Sequence, residues 1–143
     1  MLIVFVAMQF SQPARNKGLV NEADITKHFF VPADVGAILK ISCYDCHSNN
    51  TRYPWYANLQ PMGWVLADHI QDGKAELNFD EFGSYSKRRQ LSKLKSIAGS
   101  VKDGSMPITS YTWMHSDARL SAEDKTAIIG WATKARDSLQ AKN

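Results

Sequence analysis

Ser42-Cys43-Tyr44-Asp45-Cys46-His47-Ser48-Asn49 is the stretch on which the reading of this chain turns. Cys43 and Cys46 stand three positions apart, close to one helical turn, so both thiols reach the same side of the backbone. His47 follows directly. Two thiols at that spacing can each add to one vinyl group of a single haem, and the adjacent imidazole can then meet the iron from one face. The expectation is one covalent haem c held by Cys43 and Cys46, with His47 as a metal ligand. Two other uses of a cysteine pair fit worse. A thioredoxin-like site needs a strand before it and a βαβ setting, and no strand pattern precedes Cys43. A zinc site needs a second pair of ligands at compatible spacing, whereas His28, His69 and His115 are scattered singly and no further cysteine exists.

Outward from the motif the periodicity is helical. Pro32 suits a first helical turn, and Val35, Ile38, Leu39, Ser42 and Cys46 recur on one face, which predicts a helix that the motif closes. Ser48 to Tyr53 reads as a polar turn. Pro61 opens a second helix through Trp64, Val65, Ala67, Asp68 and His69 to about Gly73. Leu77 to Phe82 reads as a loop packing its rings onto the domain. A third helix is predicted from Ser86 to Lys102 with Leu91, Leu94, Ile97, Ala98 and Val101 inward, and Gly104 closes it. Ser121, with Asp124 three residues on, starts the last. No stretch alternates with strand period. The fold class is therefore all-α, a small helical domain with long loops wrapped around one haem.

The opposite side of the iron needs its own ligand. Met106, in Asp103-Gly104-Ser105-Met106-Pro107, lies off every helical stripe, and a thioether there would favour reduced iron. His115, Met114 and His69 are the alternatives. The free ring nitrogen of His47 calls for a carbonyl, expected near Pro54 or Pro61. Aromatic residues gather on both sides: Tyr53, Trp55, Tyr56 and Trp64 after the motif, Tyr111 and Trp113 after Met106. Trp55, Trp64, Tyr111 and Arg52 are the candidates for walling the haem or bonding its propionates.

The chain has 143 residues, enough for one good core, and a formal charge of +3 that does not suggest nucleic acid. Two cysteines are too few for a disulfide framework. Residues 1–12 begin MLIVFVAMQF, apolar but shorter than the about 20 residues that cross a bilayer. They read as a signal or anchor remnant and possible membrane attachment, with a linker over 13–24 and the haem domain over 25–141. The basic run from Lys87 to Lys95 reads as a solvated helix face that could also dock an acidic redox partner.

From about Val31 to Trp131 the chain resembles the haem-binding-domain family of small monohaem c-type cytochromes. The residues that carry the likeness are 42–49, Thr51-Arg52-Tyr53-Pro54-Trp55-Tyr56, Pro61, Trp64, Leu77-Asn78-Phe79, Met106-Pro107, Tyr111, His115 and Leu120-Ser121. The resemblance implies a cytochrome c-like fold at the membrane or in the periplasm, and the run ending in Gln9-Phe10 is similar to that family's N-terminal anchor, shortened. The expected function is single-electron transfer between redox protein partners, not catalysis. A peroxidase-like enzyme or gas sensor with a labile sixth position, or a subunit of a larger respiratory complex, is the alternative.

Overall fold

The computed structural model describes residues 1–19 and 21–142. Among them there are eight α-helices, three 3₁₀ turns and no strand; the one isolated bridge joins Lys17 and Asn50.

Two long helices form the spine. Ser86 caps α6 (Lys87–Asp103) by accepting the Arg89 N–H, and Gly104 closes it at φ 79°, a left-handed conformation that suits glycine. Its buried residues, Gln90, Leu94, Ile97 and Val101, fall on one stripe. Helix α8 (Ala122–Ala141) starts on a complete capping box, in which the Ser121 hydroxyl accepts from Asp124 N–H at 3.0 Å and the Asp124 carboxylate from Ser121 N–H at 2.9 Å. It buries Ile128, Trp131, Ala132 and Ala135. The two stripes face each other and make the main helix interface. Leu94 and Ile128 are both fully buried there, each worth about 1.5–3 kcal/mol of transfer free energy.

Helix α3 (Ala33–Ser42) lays Val35 and Leu39 onto this core, joined by Ile25 from the short α2 (Ile25–His28). The 77–82 run, expected as a loop, forms a 3₁₀ turn over Phe79–Ser84 whose Phe79 and Phe82 are fully buried. A smaller cluster of Tyr56, Ala57, Leu66 and Ile70 joins the Trp55–Asn58 turn to α5 (Met62–Glu76). Cys43 packs on the large cluster and Cys46 on the small one, so the motif sits at their seam.

Two helix boundaries differ from the sequence reading. The helix expected to run from Pro32 through Cys46 is two helices, because Cys43 leaves helical geometry at φ −130°, ψ −41° between α3 and α4 (Tyr44–His47). Helix α5 runs on past Gly73 to Glu76 and ends where Leu77 turns extended and buries its side chain.

At the N-terminus α1 (Leu2–Met8) has no buried residue. The chain beyond it is fastened to the body. Gln9 exchanges two hydrogen bonds with the Gln60 backbone, and Asn16 donates to Ser48 O and the Thr51 hydroxyl.

Candidate functional site

Four residues of α4 and the end of α5 set the geometry. His47 Nδ1 lies 2.9 Å from Gly73 O and 3.0 Å from Leu77 O. Carbonyls only accept, so Nδ1 carries the hydrogen and shares it between them. Leu77 O is one of the carbonyls that a helix end leaves without an intrahelical donor. The tautomer fixed in this way puts the free lone pair on Nε2, which no protein group among the described residues bonds. That is the state in which histidine ligates a metal. The carbonyls come from the end of α5, where the sequence reading looked near Pro54 or Pro61.

Glycine is required at position 73 for this approach. A Cβ there would stand 2.6 Å from Cys46 O and 3.0 Å from Cys46 Cβ. The Phe79 ring meets the His47 ring edge-on at 6.3 Å and stacks on Tyr44 at 5.0 Å, so aromatic packing backs the imidazole.

Both cysteines are free and half-buried. Burial, then the charge of Cys46, pushes the Cys43 thiol up to about 12; burial, then Asp45, pushes Cys46 up to about 11. Raised in this way, both thiols favour the S–H form at neutral pH.

The thiols and His47 open onto two adjoining clefts of about 190 and 210 Å³. Ser42, Cys43, His47, Glu76, Met106 and Pro107 wall both. The first adds Cys46, His69, Ile108 and Tyr111, and the second reaches into the main core at Leu39, Phe79, Ile97 and Ile128. Six of the residues singled out in the sequence are thus brought together: Cys43, Cys46, His47, Met106, Tyr111 and His69. Met114 walls a small hollow of about 60 Å³ beside Cys46 and His69. His115 stands behind the wall, stacked on Tyr111 at 4.3 Å with its Nε2 engaged by the Tyr56 hydroxyl at 2.7 Å.

Arg52, Trp55 and Trp64 are placed elsewhere. Asp45, buried between the cysteines, takes the Arg52 guanidinium (Nε 3.3 Å, Nη2 3.3 Å) on the rim of a separate hollow. Trp55 is 72% exposed with its ring edge on Tyr56, and Trp64 Nε1 donates to Ser11 O at 2.8 Å. A hollow of about 970 Å³ between the α2–α3 junction and α8 holds neither cysteine nor His47.

The sequence reading missed Gly73, Leu77 and Asp45 as parts of the site. Asp45 accepts from Arg52 N–H at 3.0 Å and from the Tyr111 hydroxyl at 2.7 Å. Burial first, then that bond to Asp45, holds the Tyr111 phenol above its ordinary range. A charged residue inside the cysteine pair was the available signal.

A family model of the haem-binding domain matches residues 3–134, nearly the whole chain. This chain belongs to the haem-binding-domain family. Searches of curated proteins and of solved structures return no match. Haem is the ligand that family membership assigns, and the residues present fit it. An imidazole nitrogen without a protein partner and two protonated thiols share a largely apolar cleft in this haem-binding domain. The cleft is continuous with the core, so a flat apolar cofactor would complete the seam between the two clusters.

Proposed function

We propose that this haem-binding domain is a monohaem c-type cytochrome that passes single electrons between redox partners outside the cytoplasm. The observation that carries the reading is the clamp on His47: two α5 carbonyls hold Nδ1–H, and Nε2 is left bare beside both thiols. In this reading Cys43 and Cys46 would hold the haem, each S–H adding across one vinyl C=C with sulfur on one carbon and hydrogen on the other, so that no atom would be lost. Bound haem supplies a one-electron ferric–ferrous couple. The protein's part is to fix the axial ligands and exclude water.

Met106 is the sixth ligand in this reading. A metal held by His47 would bind through Nε2, the ring nitrogen that the α5 carbonyls do not engage. His69, on α5 one turn before Gly73, walls the first of the two clefts. Met106 instead comes from the loop between α6 and α7 (Thr109–Met114) and walls both clefts. His47/Met106 ligation gives a carrier and not a catalyst, with a raised potential. The rival reading, an enzyme or sensor with a labile sixth position, rests on His69, which walls the same cleft without a hydrogen-bond partner among the described residues.

Partner and location follow from the same reading. Lys93 edges the second cleft, paired with Glu76 at 3.0 Å, so the basic face of α6 meets an acidic redox partner beside the cofactor. Residues 1–12 attach the chain to a membrane or membrane complex: Leu2, Ile3 and Val4 are 62–84% exposed. No helix among the described residues is long and apolar enough to cross a membrane.

Two measurements test the proposal. Haem should stay with the polypeptide on a denaturing gel, and Cys43→Ser with Cys46→Ser should release it. The ferric protein should show the weak near-infrared methionine-to-iron band, lost in Met106→Ala. Haem that dissociates from the wild type on denaturation refutes covalent attachment. Rapid, tight carbon monoxide binding to the reduced wild type favours the rival reading.

A further inference from the structure

The segment that carries Met106 is weakly fastened by apolar contact. Residues 102–106 and 109–110 are exposed, and α7 has no buried residue. Locally, Met106 N–H donates to Ser100 O at 3.1 Å and Ser105 N–H to Asp103 Oδ1 at 2.9 Å, both within the end of α6 and its turn. Its firm attachment across the cleft is polar. The Tyr111 hydroxyl donates to Asp45 Oδ2 at 2.7 Å, joining residues 66 positions apart, and Asp45 is only 5% exposed. Asp45 is held on its other side by Arg52 N–H and guanidinium, and its own carbonyl accepts from the Thr51 hydroxyl at 2.6 Å. The receiving end of the bond is therefore rigid. Behind Tyr111 the His115 ring stacks at 4.3 Å, its Nε2 engaged by the Tyr56 hydroxyl.

We infer that the Asp45–Tyr111 hydrogen bond is a latch that holds the Met106 segment closed over the cysteine–histidine motif. Tyr111 and Asp45 are then positioning residues for the sixth-ligand side of the haem site. The inference rests on the proposed function in one respect, that Met106 occupies the sixth position. It gives the motif's inner aspartate a purpose separate from the cysteines that flank it. A bond to a buried carboxylate is the kind whose loss is felt, and the other acceptor near that hydroxyl, Ile41 O, stands at a longer 3.5 Å.

The test uses the ferric holoprotein, with imidazole as the probe that competes for the sixth position, titrated optically at fixed pH. Apparent affinity scales with the fraction of open protein. Tyr111→Phe keeps the ring, its stacking and the cleft wall, and removes only the hydroxyl. It should tighten imidazole binding by roughly tenfold to a hundredfold, the effect of losing one charge-assisted bond. Amide exchange over 104–115 should quicken by a similar factor, a readout in which the cofactor takes no part. In the Met106→Ala background, Tyr111→Phe should add nothing to imidazole affinity.

The outcomes separate the two proposals. A wild type that binds imidazole as tightly as Met106→Ala overturns Met106 as ligand. A wild type that binds more weakly than Met106→Ala, with Tyr111→Phe matching the wild type in both affinity and exchange, overturns the latch. Should Tyr111→Phe yield no holoprotein, Asp45→Asn keeps an acceptor while removing the charge, and should tighten binding severalfold; wild-type behaviour there overturns the latch equally.

Discussion

Gly73, Gly99 and Gly130 all lie within helices, and alanine at the three positions should act in opposite directions. Alanine is favoured over glycine in a helix interior by about 1 kcal/mol. At Gly99 in α6 and Gly130 in α8 a new Cβ meets nothing within 4 Å, so only that gain applies. Gly99→Ala and Gly130→Ala should each stabilise by about 0.5–1 kcal/mol. At Gly73 the new Cβ would stand 2.6 Å from the Cys46 carbonyl oxygen and 3.0 Å from Cys46 Cβ. Neither obstacle is the end of a flexible side chain, so α5 and α4 must part. Overpacking costs about 1–3 kcal/mol. Parting the helices also draws Gly73 O from His47 Nδ1, whose 2.9 Å bond is worth roughly 0.5–1.5 kcal/mol. Set against the alanine gain, the net is a destabilisation of about 2 kcal/mol.

Urea unfolding of the holoprotein followed by far-ultraviolet circular dichroism measures all three variants on one scale, and optical titration of the haem follows the histidine. Gly73→Ala should lower the midpoint and weaken the His47–iron bond, whereas the other two should raise the midpoint with the haem spectrum unchanged. The test is strict because the substitution is the same each time. A Gly73→Ala protein as stable as Gly99→Ala would refute the close packing of α5 on the motif, and the clamp on His47 with it.

Asp80 is fully buried with its Oδ2 accepting the Asn49 N–H at 2.6 Å, and burial, then Asp24 close by, raises its pKa above the ordinary 3.8. A raised folded pKa means stability that is full below 3.8 and is lost as pH rises through the higher folded value, so Asp80→Asn should flatten the fall in thermal midpoint as pH rises above 3.8; an unchanged pH profile would count against it. Ser121→Ala removes the acceptor for Asp124 N–H and half of the capping box on α8, and should cost about 1 kcal/mol in denaturant unfolding without moving the haem spectrum.

What could be read from the sequence was what local chemistry decides. The helix opened by Ser86 and closed by Gly104, and the one opened by Ser121 and Asp124, were legible because caps act within one turn of the residues that name them. The grouping of Cys43, Cys46 and His47 was legible because the motif is itself a local geometry. Its finer shape was not. The chain leaves helical geometry at Cys43, and α4 packs on α5, a different helix, where the missing Cβ of a glycine leaves room for Cys46 O. Gly73 at the end of an apolar stripe reads as a terminator, when its use is close approach in a helix that continues.

Trp55 and Trp64 lie away from the two clefts for a related reason. A tryptophan that walls a cleft and one that props up a loop have the same flanking sequence, and only long-range partners separate them. Trp64 reaches back 53 positions to Ser11, and Trp55 lies on the surface. Arg52 reads as a ligand for a carboxylate, which is chemically correct, but the nearest carboxylate is the protein's own. Asp45 is buried, already placed by the motif, and seven positions away, so it takes the guanidinium without the entropy cost of a long closure. A basic side chain expected to serve the cofactor therefore secures the aspartate to which Tyr111 is fastened. The ion pair and the latch are one structure: Arg52 fixes Asp45, Asp45 holds Tyr111, and Tyr111 is five residues from the methionine proposed to complete the iron.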